Sequence, residues 1–139
     1  MKTLTLTVGL FLISFISFAQ ETTGVDITVT INNVANDQGK VMIALHTKET
    51  FLKGKGIQNQ KDSIKDGKVS FVFENVPKGT YAILALHDAN ENNQMDFDSN
   101  GAPTESYGMP GNEMFFGWPD FEDAKFEVND ENLEMEIRF

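Results

Sequence analysis

The chain contains no cysteine among its 139 residues. No disulfide can brace it, no thiolate zinc site can form, and a lipid anchor attached through a cysteine is excluded. Basic residues are scarce too: 11 lysines and arginines stand against 21 aspartates and glutamates, a formal charge of −10. Without a basic stripe to release counterions from phosphates, nucleic acid and anionic membrane surfaces are poor partners, and cations are the expected ones. There is no Gly-Xaa-Ser-Xaa-Gly elbow, no His-Glu-Xaa-Xaa-His helix and no phosphate-cradling glycine loop. Nucleophilic and zinc catalysis therefore have no visible machinery. Histidine is limited to His46 and His87, which at the ends of neighbouring strands would make a two-ligand transition-metal pair, a weak site beside ordinary hydrogen-bonded histidines.

Long apolar runs are also missing, with one exception. Lys2 is the sole charge before Glu21, and the stretch from Leu4 to Phe18 is apolar and ends in Ser17-Phe18-Ala19. That three-part pattern predicts a secretory signal peptide over residues 1–19, cleaved after Ala19. The run is short for a span of roughly 20 apolar residues and is interrupted by Thr5, Thr7, Gly9 and Ser14. The expected product is a secreted or periplasmic bacterial protein with no membrane span after cleavage. Removing 19 of 139 residues leaves 139 − 19 = 120, enough for one domain over residues 20–139. Loss of Lys2 leaves 10 basic against 21 acidic residues, a charge of −11.

Period-two patterning dominates what remains. Val25, Ile27, Val29 and Ile31 alternate with Asp26, Thr28 and Thr30, which predicts a strand with one buried face. Turn residues Asn36-Asp37-Gln38-Gly39 lead into a second strand over Lys40 to His46, and a hairpin of the two is expected. Residues 47–67 hold five lysines (48, 53, 55, 61, 65) and no sustained period, so they read as a solvated excursion containing one helical turn, with a partner surface formed by the lysines as the alternative. Strands follow over Lys68 to Glu74 and Thr80 to His87, the latter apolar on both faces and so expected at the centre of a sheet. Lys125 to Val128 and Leu133 to Phe139 complete six strands. With frequent turns and no helix of ten residues, the fold class is all-β: a small immunoglobulin-like or transthyretin-like β-sandwich with one long loop between the last strands.

Chemistry is expected in that loop. Asp88, Asn90, Asn92, Gln94 and Asp96 place oxygen-bearing side chains at every second position. Calcium takes about six to eight hard oxygen ligands, and a loop coiled around it presents positions 1, 3, 5, 7 and 9, the seventh through its carbonyl. Asn93 stands at position 6, where glycine is usual, and Ser99 stands where a bidentate glutamate belongs. Asp98, Glu105 or Glu91 would have to supply the missing carboxylate. Calcium at a weak site is the expected cofactor, against the plainer alternative of a solvated turn-rich loop. Beyond it, Met114, Phe115, Phe116, Trp118 and Phe121 crowd eight residues, with Tyr107 just upstream. Tyr107, Phe115, Phe116 and Trp118 would form a platform for a glycan or protein ligand, or the aromatics would plug the open end of the sandwich. A competing enzymatic reading takes His87, Asp88 and Glu105 as the acid/base cluster of a glycan or ester hydrolase. A third, resting on fold analogy, is a transthyretin-like carrier with an apolar cavity between its sheets.

Three pieces, Gly79-Thr80-Tyr81 through His87-Asp88-Ala89-Asn90-Glu91-Asn92 to Asp96, Gly101-Ala102-Pro103-Thr104-Glu105-Ser106-Tyr107-Gly108, and Pro119-Asp120-Phe121-Glu122-Asp123-Ala124, resemble the bacterial family catalogued as domain of unknown function 2141. The resemblance implies an exported β-sandwich of about this size with no assigned role. The family's loop usually has glycine where Asn93 stands. The turn Asn75-Val76-Pro77-Lys78-Gly79-Thr80-Tyr81 is also similar, over that short length, to turns in transthyretin-like and collagen-adhesin B-type domains.

Overall fold

The computed structural model describes residues 24–112 and 119–139. The signal segment 1–19, Met114 and the aromatics Phe115, Phe116 and Trp118 lie outside the described residues. Those described form two sheets, built in chain order from β1 (Val25–Ile31), β2 (Lys40–His46), β3 (Gln58–Ser63), β4 (Val69–Val76), β5 (Gly79–Asp88), β6 (Tyr107–Gly108), a short helix α1 (Phe121–Ala124), β7 (Lys125–Val128) and β8 (Leu133–Ile137). A three-stranded sheet runs β4-β1-β8, with β1 antiparallel to β4 and parallel to β8. The second sheet runs β3-β2-β5-β6, and β7 pairs with the first half of β5. The architecture is the β-sandwich that the alternating pattern predicts.

Inward-facing residues from both sheets fill the space between them. Ile27, Val29 and Ile31 of β1 meet Val41, Ile43 and Leu45 of β2, with Phe73 of β4, Ile83 of β5 and Ile137 of β8 completing the layer. All of these are buried, so a cavity between the sheets, which a transthyretin-like carrier needs, has its expected place taken by side chains.

The strands at 25–31 and 40–46 do not form the expected hairpin, because they lie in opposite sheets. Each has one apolar face, so alternation specifies burial but not a pairing partner. Residues 32–39 carry the chain across, anchored by the Asp37 carboxylate, which accepts the N–H groups of Asp66 and Gly67 at 3.0 and 2.8 Å. Buried Val34 donates its own N–H to the Gly67 carbonyl.

The excursion at 47–67 contains a strand that hydrophobic periodicity missed. Gln-Asn-Gln-Lys-Asp-Ser makes β3, an edge strand joined to β2 through its backbone. Its polarity suits an edge, where charged and amide side chains discourage further pairing. Gln58 and Gln60 donate Nε2–H groups to the carbonyls of Glu74 and Val72 on β4, at 3.0 and 2.7 Å. Amides here tie the open side of the sandwich together, a task that leaves no apolar signature. The expected helical turn is present at its start, where Phe51 donates its N–H to the Thr47 carbonyl.

β5 sits inside its sheet, as its two apolar faces predict, with β2 on one side and β6 and β7 on the other. Tyr81, Ile83 and Ala85 face the core. On the opposite face Ala82 is buried in a second cluster with Phe51, Met109, Phe121 and Ala124, and half-buried Leu84 packs against it. Phe51 meets Phe121 edge-on at 5.7 Å between ring centres, and His46 meets Phe51 likewise at 5.9 Å. Phe121 thus covers the outer face of the sheet rather than plugging the mouth of the sandwich. Asp120 caps α1 in a capping box with Asp123. Lys125 and Lys48 pair with Glu122, in that order of effect, and hold its carboxyl down at about 2.

Two measurements follow from this packing. Gly39, at φ +69°, lies so close to β5 that a Cβ would fall 2.1 Å from the Asp88 carbonyl. Gly39→Ala is expected to lower stability on the order of 3 kcal/mol in denaturant unfolding, from left-handed strain plus overpacking. Burial depresses the pKa of His46, whose Nδ1–H donates to the Thr50 carbonyl. A depressed histidine favours folding in its neutral form, so its contribution is full above 6.5 and is lost as pH falls through the lower folded value. His46→Gln should flatten the fall in melting temperature between about pH 8 and 5 relative to the parent protein.

Candidate functional site

The loop that leaves β5 is organised by the last residue of that strand. Parity along β5 sends His87 toward the core side and Asp88 to the outer side. Asp88 is 1% exposed, and each of its carboxylate oxygens accepts one backbone N–H, from Asn92 at 3.1 Å and from Asn93 at 2.8 Å. Those two bonds bend the chain back over the carboxylate. Glu91 and Asn93 complete the coil at φ +59° and +63°. Asparagine takes this left-handed conformation more readily than most residues, which explains how position 6 does without glycine.

Short side-chain bonds repeat around the coil. Asn90 Oδ1 accepts the Asn92 N–H, and Asn92 Oδ1 accepts the Gln94 N–H, each at 3.0 Å. The Asp96 carboxylate receives the side-chain amides of Asn90 at 2.6 Å and Asn92 at 2.9 Å. Glu105 then closes the loop from outside: its Oε1 accepts from Ala89 N–H at 3.0 Å and its Oε2 from Asp96 N–H at 3.3 Å. One carboxylate therefore clamps both ends of the coil.

Asp88, Asn90, Asn92, Gln94, Asp96 and Glu105 are thus parts of one hydrogen-bonded unit. Asp98 is not. It sits at the tip of a small hairpin, where its Oδ1 accepts from Asn100 and Ala102 at 2.8 and 2.9 Å. Those donors, Ala102 first, hold its carboxyl below the usual range. The hairpin grows out of the coil through Thr104 N–H to Asp96 carbonyl and Asp98 N–H to Ala102 carbonyl bonds, both 2.9 Å.

Every donor atom offered by this unit is a hard oxygen, which suits calcium or magnesium and not a soft metal. Among the described residues no three histidine, cysteine, aspartate or glutamate side chains form a ready-made metal cluster. A cation here would take part of its coordination from amide and main-chain oxygens. The enzymatic arrangement fares worse. His87 is 4% exposed, its Nε2–H donates to the Gln38 carbonyl at 2.7 Å, and its ring stacks on Phe139. Adjacent residues on a strand diverge, so His87 and Asp88 cannot work on one substrate atom. The same parity separates His46 from His87: His46 pairs in register with Ala82, far along β5, and lies on the other face. The two cannot share a metal.

Tyr107 pairs with Leu86 across β5 and β6 and is half-buried. Lys61, one of the five lysines of the 47–67 excursion, reaches the loop in a way charge pattern did not indicate, donating Nζ–H to Asn93 Oδ1 at 3.0 Å. Its position in an unrecognised strand hid it; β3 brings it within reach of the loop.

The model of a family described as "Uncharacterized protein conserved in bacteria (DUF2141)" matches residues 29–136. No curated protein matches the chain. Two determinations of the pilus-presented adhesin Spy0125 (Cpa) are similar over 84% of this chain, at 12% identity, with TM-scores of 0.28 and 0.27. They are covered over 26% and 27% of their own length, so this chain spans about a quarter of that adhesin.

The Glu105 clamp predicts a local effect. Glu105→Ala leaves the Ala89 and Asp96 amides without their acceptor, and is expected to cost about 1–3 kcal/mol. Amide hydrogen exchange should speed up at Ala89 and Asp96 while the β1 amides stay protected. Uniform loss of protection would show that the clamp is not local.

Proposed function

The chain belongs to the bacterial DUF2141 family, whose model matches it across most of its length, and from that footing we propose that it is an exported, non-catalytic β-sandwich module with a calcium-binding loop. The observation that carries the calcium reading is the Asp88 carboxylate, buried to 1% exposure with two backbone N–H groups as partners. A buried carboxylate is costly unless it is paired with positive charge or coordinates a metal. No lysine or arginine among the described residues forms an ion pair with it; Lys40, opposite it in register, pairs with Glu91 at 3.1 Å. Two N–H donors also leave about half of the lone-pair positions of the carboxylate unfilled.

In this reading Asp88, Asn90, Asn92 and Asp96 give side-chain oxygens, Gln94 gives its carbonyl, and Glu105 supplies the carboxylate missing from the twelfth position. Asn90 and Asn92 would turn amide oxygen toward the ion where they now offer N–H to Asp96. Because Asp96 also roots the hairpin through Thr104, ion binding orders the loop and the hairpin together. Export is supported by the apolar run from Leu4 to Phe18 ahead of Ser17-Phe18-Ala19. A secreted or periplasmic setting also suits affinity in the range of extracellular modules, about 10⁻⁴–10⁻³ M.

Thermal unfolding in chelator, then across a calcium titration with magnesium as control, tests the proposal. At about 100-fold excess over the dissociation constant, linkage gives about 2.7 kcal/mol, a rise of roughly 10 °C for a domain of this size. Asp88→Asn and Asp96→Asn should each abolish most of that rise. A parent protein whose melting temperature ignores calcium overturns the reading.

A further inference from the structure

We propose that the outer face of the larger sheet, between the coil at Asp88 and the helix α1, binds a single-chain anionic amphiphile, a long-chain carboxylate. The inference goes beyond calcium binding and does not require it. Register defines the floor. Lys61, Met42, Leu86 and Tyr107 stand directly across from one another on β3, β2, β5 and β6. One step along, Ala44 faces Leu84. The alternate residues Val41, Ile43, Ile83 and Ala85 fill the core, so these rows face outward.

An outward face of an antiparallel sheet is ordinarily polar. Here four consecutive outward positions of the two inner strands are Met42, Ala44, Leu84 and Leu86, all half-buried. The face is roofed at one end, where Phe51 and Phe121 cover Ala82. At the other end the coil and its hairpin rise as a wall. Between them lies an open groove of about 1160 Å³, slightly larger than the roughly 300–1,000 Å³ of small-molecule sites.

The rims carry the same signal. Leu52 and Phe97 are 47% and 44% exposed, and both line this groove. Leu52 is held there at φ +55°, a conformation that bulky residues seldom adopt. Exposed apolar side chains gathered around one concavity mark a binding surface.

Charge selects the occupant. The chain has 21 acidic and 11 basic residues, yet among the described residues the charged ones lining the groove are Lys55 and Lys61, with no aspartate or glutamate. In a protein this acidic, an anion meets repulsion over most of the surface and attraction here. The lysines lie on the β3 side of an apolar floor, which matches an acidic head group with an aliphatic tail. Met42 and Met95 add unbranched, adaptable side chains that accommodate a flexible chain.

Dodecanoate is the probe, below its micellar concentration, with dodecyltrimethylammonium as the cationic counterpart and binding followed by calorimetry. Dodecanoate should bind with 1:1 stoichiometry, and the cationic amphiphile at least tenfold more weakly. Lys55→Glu with Lys61→Glu should cost dodecanoate at least tenfold and bring the cationic amphiphile level with it or ahead. Leu52→Ser, at an exposed position outside the core, should weaken both. Equal binding of the two amphiphiles, indifference to the charge reversal, or no binding overturns the proposal. Sedimentation of Leu86→Glu supplies a further check: a parent dimer that becomes monomeric, without dodecanoate binding, would make this face a contact between copies and overturn it too. Titrating the amphiphiles in chelator and following the calcium shift in their absence separates the readings, since loss of the calcium shift with dodecanoate binding intact defeats the calcium loop alone.

Discussion

The two-sided burial of β5 is the constraint on which the rest of the molecule depends. Ten residues from Gly79 to Asp88 run through the middle of the larger sheet, with Tyr81, Ile83 and Ala85 buried in the sandwich core. Residues of the opposite parity, Ala82, Leu84 and Leu86, are nearly as apolar, so a second layer is needed outside the sheet. The chain after β5 supplies it. The coil and hairpin of residues 89–106 stand at one end, and α1, meeting Phe51 from the turn after β2, covers the other. Among the described residues, what neither covers fully is the stretch over Met42, Ala44, Leu84 and Leu86, all half-buried.

Charge follows the same geometry. Asp88 is the last residue of β5 and falls on the outer parity, so the strand that requires an outer layer also delivers a buried carboxylate to its edge. The coil wraps that carboxylate with backbone N–H groups, and Glu105 returns from the far side to join Ala89 and Asp96. Lys61, reaching across from β3 to Asn93, links the coil to the groove floor in which it also stands. The oxygen-rich coil and the lysine-bearing part of the groove are therefore neighbours. In an acidic chain that juxtaposition requires the lysines to be gathered in space, and β3 does so with Lys61.

Much of this was legible in residue order because it is local. Alternation located β1, β2, β4, β5, β7 and β8 to within a residue or two, and apolarity on both parities placed β5 inside a sheet. The oxygen side chains at 88, 90, 92, 94 and 96 were expected to face a cation; in the structure hydrogen bonds among them and to nearby backbone N–H groups join them in one coil. Periodicity was silent wherever a segment is held by hydrogen bonds instead of burial. β3 is such a segment, because its glutamines serve β4 carbonyls, and so is the two-residue β6. The hairpin expected of β1 and β2 failed for a different reason: each strand needs an apolar surface opposite, and either sheet can provide one.

The sequence by itself determined the positions of six of the eight described strands, the acidic character, the absence of disulfides and the run of oxygen-bearing residues from Asp88 to Asp96, because each depends on composition or on neighbours a few positions apart. Tertiary structure alone decided which strands share a sheet, that His87 faces the core while Asp88 faces outward into the coil, and that Glu105 rather than Asp98 closes it. It also decided that Lys61, Met42, Leu86 and Tyr107 form one row across four strands. The physical reason is that strand register is set by long-range pairing, and a shift of one residue would reverse the face on which every one of these side chains lies.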